Sequence, residues 1–178
     1  MQTCRRLLKC IFLVSIILEL AGCGMVDSYK LFCFEGISYI SDKEDLHNKE
    51  YEFAKLENVL FVPEIKEVNH NEYIIYVSAY SETGAEQVAI TNVKVQSLER
   101  ELINYDLCEE VYFGMEKEGL YAGWINGGIV KEDDLEIDDE EIYSLTINVD
   151  LQKDDANISK TLVFPFTINK YKSFVMPT

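Results

Sequence analysis

In the last quarter of the chain, apolar and polar residues alternate one by one. Tyr143, Leu145, Ile147, Val149 and Leu151 are separated by Ser144, Thr146, Asn148 and Asp150, and Leu162, Phe164, Phe166 and Ile168 repeat the pattern. Successive side chains of a strand point to opposite sides, so this alternation predicts two half-buried strands, each with one apolar face. The polar stretch 152–159 between them makes the pair a long hairpin.

Earlier segments carry the same signal less cleanly. Residues 60–68 read as a strand whose Pro63 belongs at an edge or bulge, because proline has no amide to give a ladder. Asn69, His70 and Asn71 form a turn, and residues 72–81 form a second strand with apolar side chains on both faces, which predicts a central position. After a turn at 82–85, residues 88–98 make a third strand with Ala89, Thr91, Val93 and Val95 on one face, completing a meander. Residues 29–40 are aromatic and β-branched and predict one or two short strands. Ser41 and Glu44 match a capping box, so a short helix is expected within residues 42–56, with Leu46, Phe53 and Leu56 as a poorly periodic apolar face. Residues 99–118 show no clean period. Residues 120–125 and 129–131 flank Asn126-Gly127-Gly128, whose tolerance of positive φ predicts a type I′ hairpin turn.

Seven or so strands with regular turns predict an all-β, antiparallel two-layer sandwich. The pattern over residues 60–172 resembles the immunoglobulin-like domains of exported bacterial lipoproteins. That resemblance is architectural and carries no functional motif.

The beginning of the chain adds an address. Arg5, Arg6 and Lys9 precede the apolar run 11–18 and then Leu20-Ala21-Gly22-Cys23, the layout of a secretory signal. The run is far shorter than the roughly 20 residues a membrane span needs. Its last four residues resemble the lipobox of bacterial lipoproteins, although Glu19 is an unusual neighbour. The resemblance implies cleavage before Cys23, acylation of its sulfur and stable attachment to a membrane through more than one chain. It further implies a signal peptide over 1–22, a tether over 23–30, a single sandwich domain over 31–178 and, in bacteria with two membranes, an outer-membrane location. In such an oxidising compartment Cys33 and Cys108 remain as an even pair. They fit a disulfide, worth about 4 kcal/mol for a loop of roughly 75 residues, as readily as two buried, unpaired thiols.

The chain has 16 basic and 32 acidic residues, a net charge of −16. Such a field repels nucleic acid and anionic headgroups and steers basic partners inward. Eight of the ten residues 132–141 are acidic, a run that stays solvated and lacks the D-x-[DN]-x-[DN]-G pattern of a calcium loop. His47 and His70 stand outside every nucleophilic or zinc motif, so the sequence offers no catalytic set, metal or cofactor. The sole tryptophan, Trp124, with Tyr121 and the nearby Asp138, Asp139, Glu140 and Glu141, has the composition of a contact hot spot with a charged rim. The competing expectation is that Trp124 packs into the sandwich. The function expected is a non-enzymatic, membrane-anchored protein-binding module, in one version an immunity-type inhibitor of a basic partner. The rivals are an envelope hydrolase with paired carboxylates and a structural or adhesion accessory domain.

Overall fold

The computed structural model describes residues 25–175 except 38, 70–71, 98–99, 132–141 and 154–155. The described residues divide into two compact units, residues 32–169 and a smaller one of residues 25–31 with 170–175. Ten strands occur among them: β1 (Met25–Phe34), β2 (Lys55–Leu56), β3 (Val59–Asn69), β4 (Glu72–Ser81), β5 (Gln87–Gln96), β6 (Glu101–Val111), β7 (Gly114–Lys117), β8 (Leu120–Lys131), β9 (Tyr143–Lys153) and β10 (Ala156–Val175). They form two antiparallel five-stranded sheets, ordered β1-β10-β9-β5-β6 and β2-β3-β4-β8-β7. The protein is therefore an all-β sandwich.

The alternation of β9 and β10 becomes the core. Leu145 lies opposite Phe164 and Ile147 opposite Leu162, and all four are buried, as are Val149, Leu151, Phe166 and Ile168. Tyr143 stacks on Phe166 with centroids 5.5 Å apart, a geometry that adds directional attraction to the area removed from water. β4 sits in the middle of its sheet, as its two-sided apolar pattern requires, and its inward residues Tyr73, Ile75, Val77 and Ala79 are buried. Pro63 lies on β3 beyond the reach of the two-residue strand β2, where no neighbour needs its missing amide.

Other expectations are corrected. β1 begins at Met25, so extended strand reaches four residues ahead of the aromatic stretch 29–40. The meander ends after β4. The chain crosses at 82–85 to the other sheet, where β5 pairs with β6 and β9. A bulge between Ile90 and Asn92 splits the face of β5, so that Val88, Ile90, Val93 and Val95 point inward while Ala89 does not.

Asn126-Gly127-Gly128 is a bulge within one continuous strand, β8, and not a hairpin turn. Tyr76 pairs with Asn126 and Ile75 with Gly128, which leaves Gly127 as the extra residue. Gly128 has φ +114°, so the positive φ that turn chemistry supplies is used here to bend a strand. The ambiguous stretch 99–118 holds β6 and β7, an edge strand each, whose exposure hides their period.

The short helix proves to be two 3-10 helices, Lys43–His47 and Lys49–Ala54. The first is capped one residue later than Ser41. Asp42 Oδ1 accepts from the Glu44 amide at 3.1 Å, and Asp45 Oδ2 accepts from the Ser41 and Asp42 amides at 2.7 and 3.2 Å. Leu46 and Leu56 are buried, but Tyr51 and Ala54, rather than Phe53, complete the buried set.

Cys33 and Cys108 are free thiols. They lie on β1 and β6, the two outer strands of one sheet, so four interstrand spacings, roughly 19 Å, separate those strands. A disulfide requires Cα atoms within about 7 Å. Neither is fully buried, Cys108 being exposed.

Candidate functional site

Directly opposed residues of antiparallel strands share a face. On β4 and β8 the pairs Val77–Ile125 and Ala79–Gly123 face the core, so the alternate pairs Tyr76–Asn126, Ser78–Trp124 and Tyr80–Ala122 face outward. The bulge at Gly127 lies beyond these pairs and leaves that register intact. Trp124 is consequently 65% exposed, and the expectation that it packs into the sandwich is overturned.

Trp124 divides two depressions that share Ser78. The first, about 250 Å³, is lined by Glu64, Lys66, Tyr76, Ser78 and Trp124. Tyr76 meets Trp124 edge to face with centroids 5.8 Å apart. Lys66 Nζ lies 5.6 Å from the centroid of the Tyr76 ring, and its ammonium pairs with Glu64 at 2.9 Å. The Glu64 carboxylate, as hydrogen-bond acceptor and as charge, holds Lys66 above the ordinary lysine range. This depression contains its own cation over an aromatic ring.

The second, about 400 Å³, lies on the other side of the indole and takes Tyr39, Ile40, Tyr80, Met115 and Glu116 into its wall. Tyr39 is 81% exposed, and Ile40 beside it is buried. Lys117 Nζ donates to the Ser41 carbonyl at 2.6 Å, which fixes the 39–41 segment to β7, the strand that carries Glu116. Burial pushes the Tyr80 hydroxyl above its usual range against a hydrogen bond with Ser78, and Tyr39, Glu116 and Glu64 push it further. Glu116 makes no ion pair with any described residue.

Tyr121 does not join this surface. It lies opposite Ser81 on the inward face, three residues from Trp124 and therefore on the other side of the sheet, with its ring against Gly84. Asp138, Asp139, Glu140, Glu141, His70 and Cys23 lie outside the described residues. His47 contacts Glu82 at 2.6 Å on the surface. The sequence reasoning missed Tyr39, Tyr76, Tyr80 and Glu116. For Tyr76 and Tyr80 a signal existed: they flank Ser78 at period two, opposite the small and aliphatic Ile75, Val77 and Ala79.

A third cleft, about 740 Å³, lies on the other sheet. On the outward face of β5, Ala89 is flanked by Glu110 of β6 and Asp150 of β9, while Gln87, Gln152 and Asn157 form a row of amides beside them. Glu86 at its margin is committed to structure: Ser81 Oγ donates to it at 2.6 Å, Thr83 Oγ1 at 2.9 Å, and Asn58 Nδ2 as well. Among the described residues no three histidine, cysteine or carboxylate side chains converge to hold a metal, and no helix is long and apolar enough to cross a membrane. No protein-family model matches the sequence, and no curated protein matches it.

Proposed function

We propose that the protein is a lipid-anchored envelope protein whose sandwich is a non-enzymatic binding module for a basic protein, with the Trp124 face as the contact surface. The exposed indole of Trp124 carries this reading. A large aromatic at the centre of a sheet face, flanked by two depressions, has the chemistry of a binding hot spot. The net charge of −16 supports a basic partner, because it accelerates encounter with one and disfavours acidic competitors. The lipobox resemblance at Cys23 supports membrane attachment and, by default, the outer membrane. An immunity-type inhibitor, neutralising a basic toxin or lytic enzyme outside the cytoplasm, is the version that best joins anchor and charge.

Two variants test the proposal. Cys23→Ser abolishes acylation and releases the protein from the membrane fraction; continued membrane association removes the anchor. Trp124→Ala lowers recovery of the co-purifying partner at least about tenfold without changing thermal stability, the size expected of an anchor residue. Unchanged recovery removes this face as the contact surface.

One observation favours a second reading. Glu110 and Asp150 flank Ala89 in the 740 Å³ cleft, which puts two carboxylates on one outward face, the minimum that paired-carboxylate hydrolysis needs. Hydrolysis of a glycan that disappears in a folded Glu110→Gln, Asp150→Asn variant would replace the binding-module reading.

A further inference from the structure

The two depressions beside Trp124 differ in one respect that points to a ligand. Both are walled by the same indole and share Ser78, and each combines tyrosine with a glutamate. In the smaller one that combination is occupied by the protein itself: Lys66 lies over Tyr76 and is neutralised by Glu64. In the larger one the aromatic wall is richer, with Tyr39, Tyr80 and Trp124, and the carboxylate of Glu116 has no cation among the described residues. Aromatic rings attract a cation through their negative faces, and a carboxylate at the rim adds Coulomb attraction and a hydrogen-bond acceptor. A depression of about 400 Å³ exceeds the size of one side-chain head group, so a long alkyl stem can enter with the charge.

We propose that the depression formed by Tyr39, Tyr80, Trp124 and Glu116 receives a basic side chain, arginine or lysine, of the protein partner. The stem packs between Met115 and the rings, and the charged end meets Glu116. This inference rests on reading the Trp124 face as a contact surface, and it names the group that the surface recognises. The charge of the whole chain argues the same way, since a surface with a net charge of −16 favours a cationic occupant over a neutral or acidic one. The segment carrying Tyr39 is tied to β7 by the Lys117–Ser41 hydrogen bond, so the wall is in place before a ligand arrives and little ordering is required on binding.

Trp124 is the only tryptophan, and its fluorescence reports the site directly. The full chain is titrated at constant ionic strength with Nα-acetyl-arginine amide and Nα-acetyl-lysine amide, with neutral Nα-acetyl-citrulline amide as the control. Saturable change with at least one basic probe and none with the neutral one is the expected result. Glu116→Gln weakens the response about tenfold, while Glu118→Gln, which removes an equal charge from the neighbouring turn, leaves it unchanged. Absence of saturation by either basic probe up to about 100 mM, weaker binding than three aromatic rings and a carboxylate acting together should give, overturns the inference. An equal response to the citrulline probe overturns it too, as does saturation by tetramethylammonium alone, which would mark a quaternary-ammonium site. If the probes fail while partner recovery still depends on Trp124, only this inference falls. If Trp124→Ala leaves recovery intact, the contact surface falls with it.

Discussion

Tyr105 and Gly128 join the two sheets at one side of the sandwich. Tyr105, on β6, packs its ring so closely over Gly128 of β8 that a Cβ there would lie 2.6 Å from the ring carbons, and its hydroxyl donates to the Ile129 carbonyl at 2.7 Å. The glycine serves two ends, since its φ of +114° shapes the bulge and its missing side chain admits the ring. Gly128→Ala therefore costs about 2–4 kcal/mol, from backbone strain and from the displaced ring. Tyr105→Ala in the same chain recovers part of that loss, so the double variant is less destabilised than the sum of the two, as read by denaturant unfolding.

The alternation in β10 makes a sharp contrast between neighbours. Phe164 is fully buried against β9, whereas Val163, next to it, is about half exposed. Phe164→Ala is expected to cost about 3–5 kcal/mol, and Val163→Thr less than about 0.5 kcal/mol. Equal losses at the two positions would mean that the face assignment of β10 is wrong.

Glu86 gives the fold an acid-sensitive joint. Burial acts to raise its carboxyl, but hydrogen bonds from Ser81, its own backbone, Thr83 and Asn58 outweigh that and hold it below the ordinary value of 4.5. A carboxyl depressed in the folded state contributes stability above its unfolded pKa, and that contribution fades as pH falls through the folded value. Glu86→Gln is thus destabilising at pH 7, by less than about 1 kcal/mol because solvent screens a partly exposed carboxylate, and the difference shrinks as pH falls through the lowered folded pKa. Chemical unfolding of both proteins between pH 7 and 3 measures the convergence.

The free thiols predict indifference to reductant. Cys33 and Cys108 stand on opposite edges of a sheet, so the melting temperature with and without dithiothreitol is the same, and Cys108→Ser leaves it within about 2 °C. In the native protein the exposed Cys108 reacts with a thiol reagent faster than Cys33, and a reductant-dependent melting temperature would contradict the separation.

Where one side of a strand is buried and the other wet, the sequence reveals the strand directly, as with Tyr143 to Leu151 and Leu162 to Ile168. β6 escaped because an edge strand needs little apolar surface: among its residues only Ile103 and Val111 are buried. The Asn126-Gly127-Gly128 signal marks a special backbone site but neither its conformation nor its topology: positive φ occurs at Gly128 alone, not at Asn126 and Gly127 as a type I′ turn requires, and it serves a bulge rather than a reversal. The crossing after Ser81 was not legible either, because a turn sequence fixes a change of direction but not which sheet receives the next strand. Trp124 was visible as a candidate. The convergence of its companions was not, because Tyr39, Tyr80 and Glu116 come from three separate segments that only the folded sheet assembles.

β6 closes one sheet with an open ladder, and along it Glu101, Asp106, Glu109 and Glu110 are all exposed. A second copy approaching to extend the sheet would bring an identical row of carboxylates against this one. Like charge on a bare margin keeps protein molecules at high local concentration from zipping into a continuous ribbon.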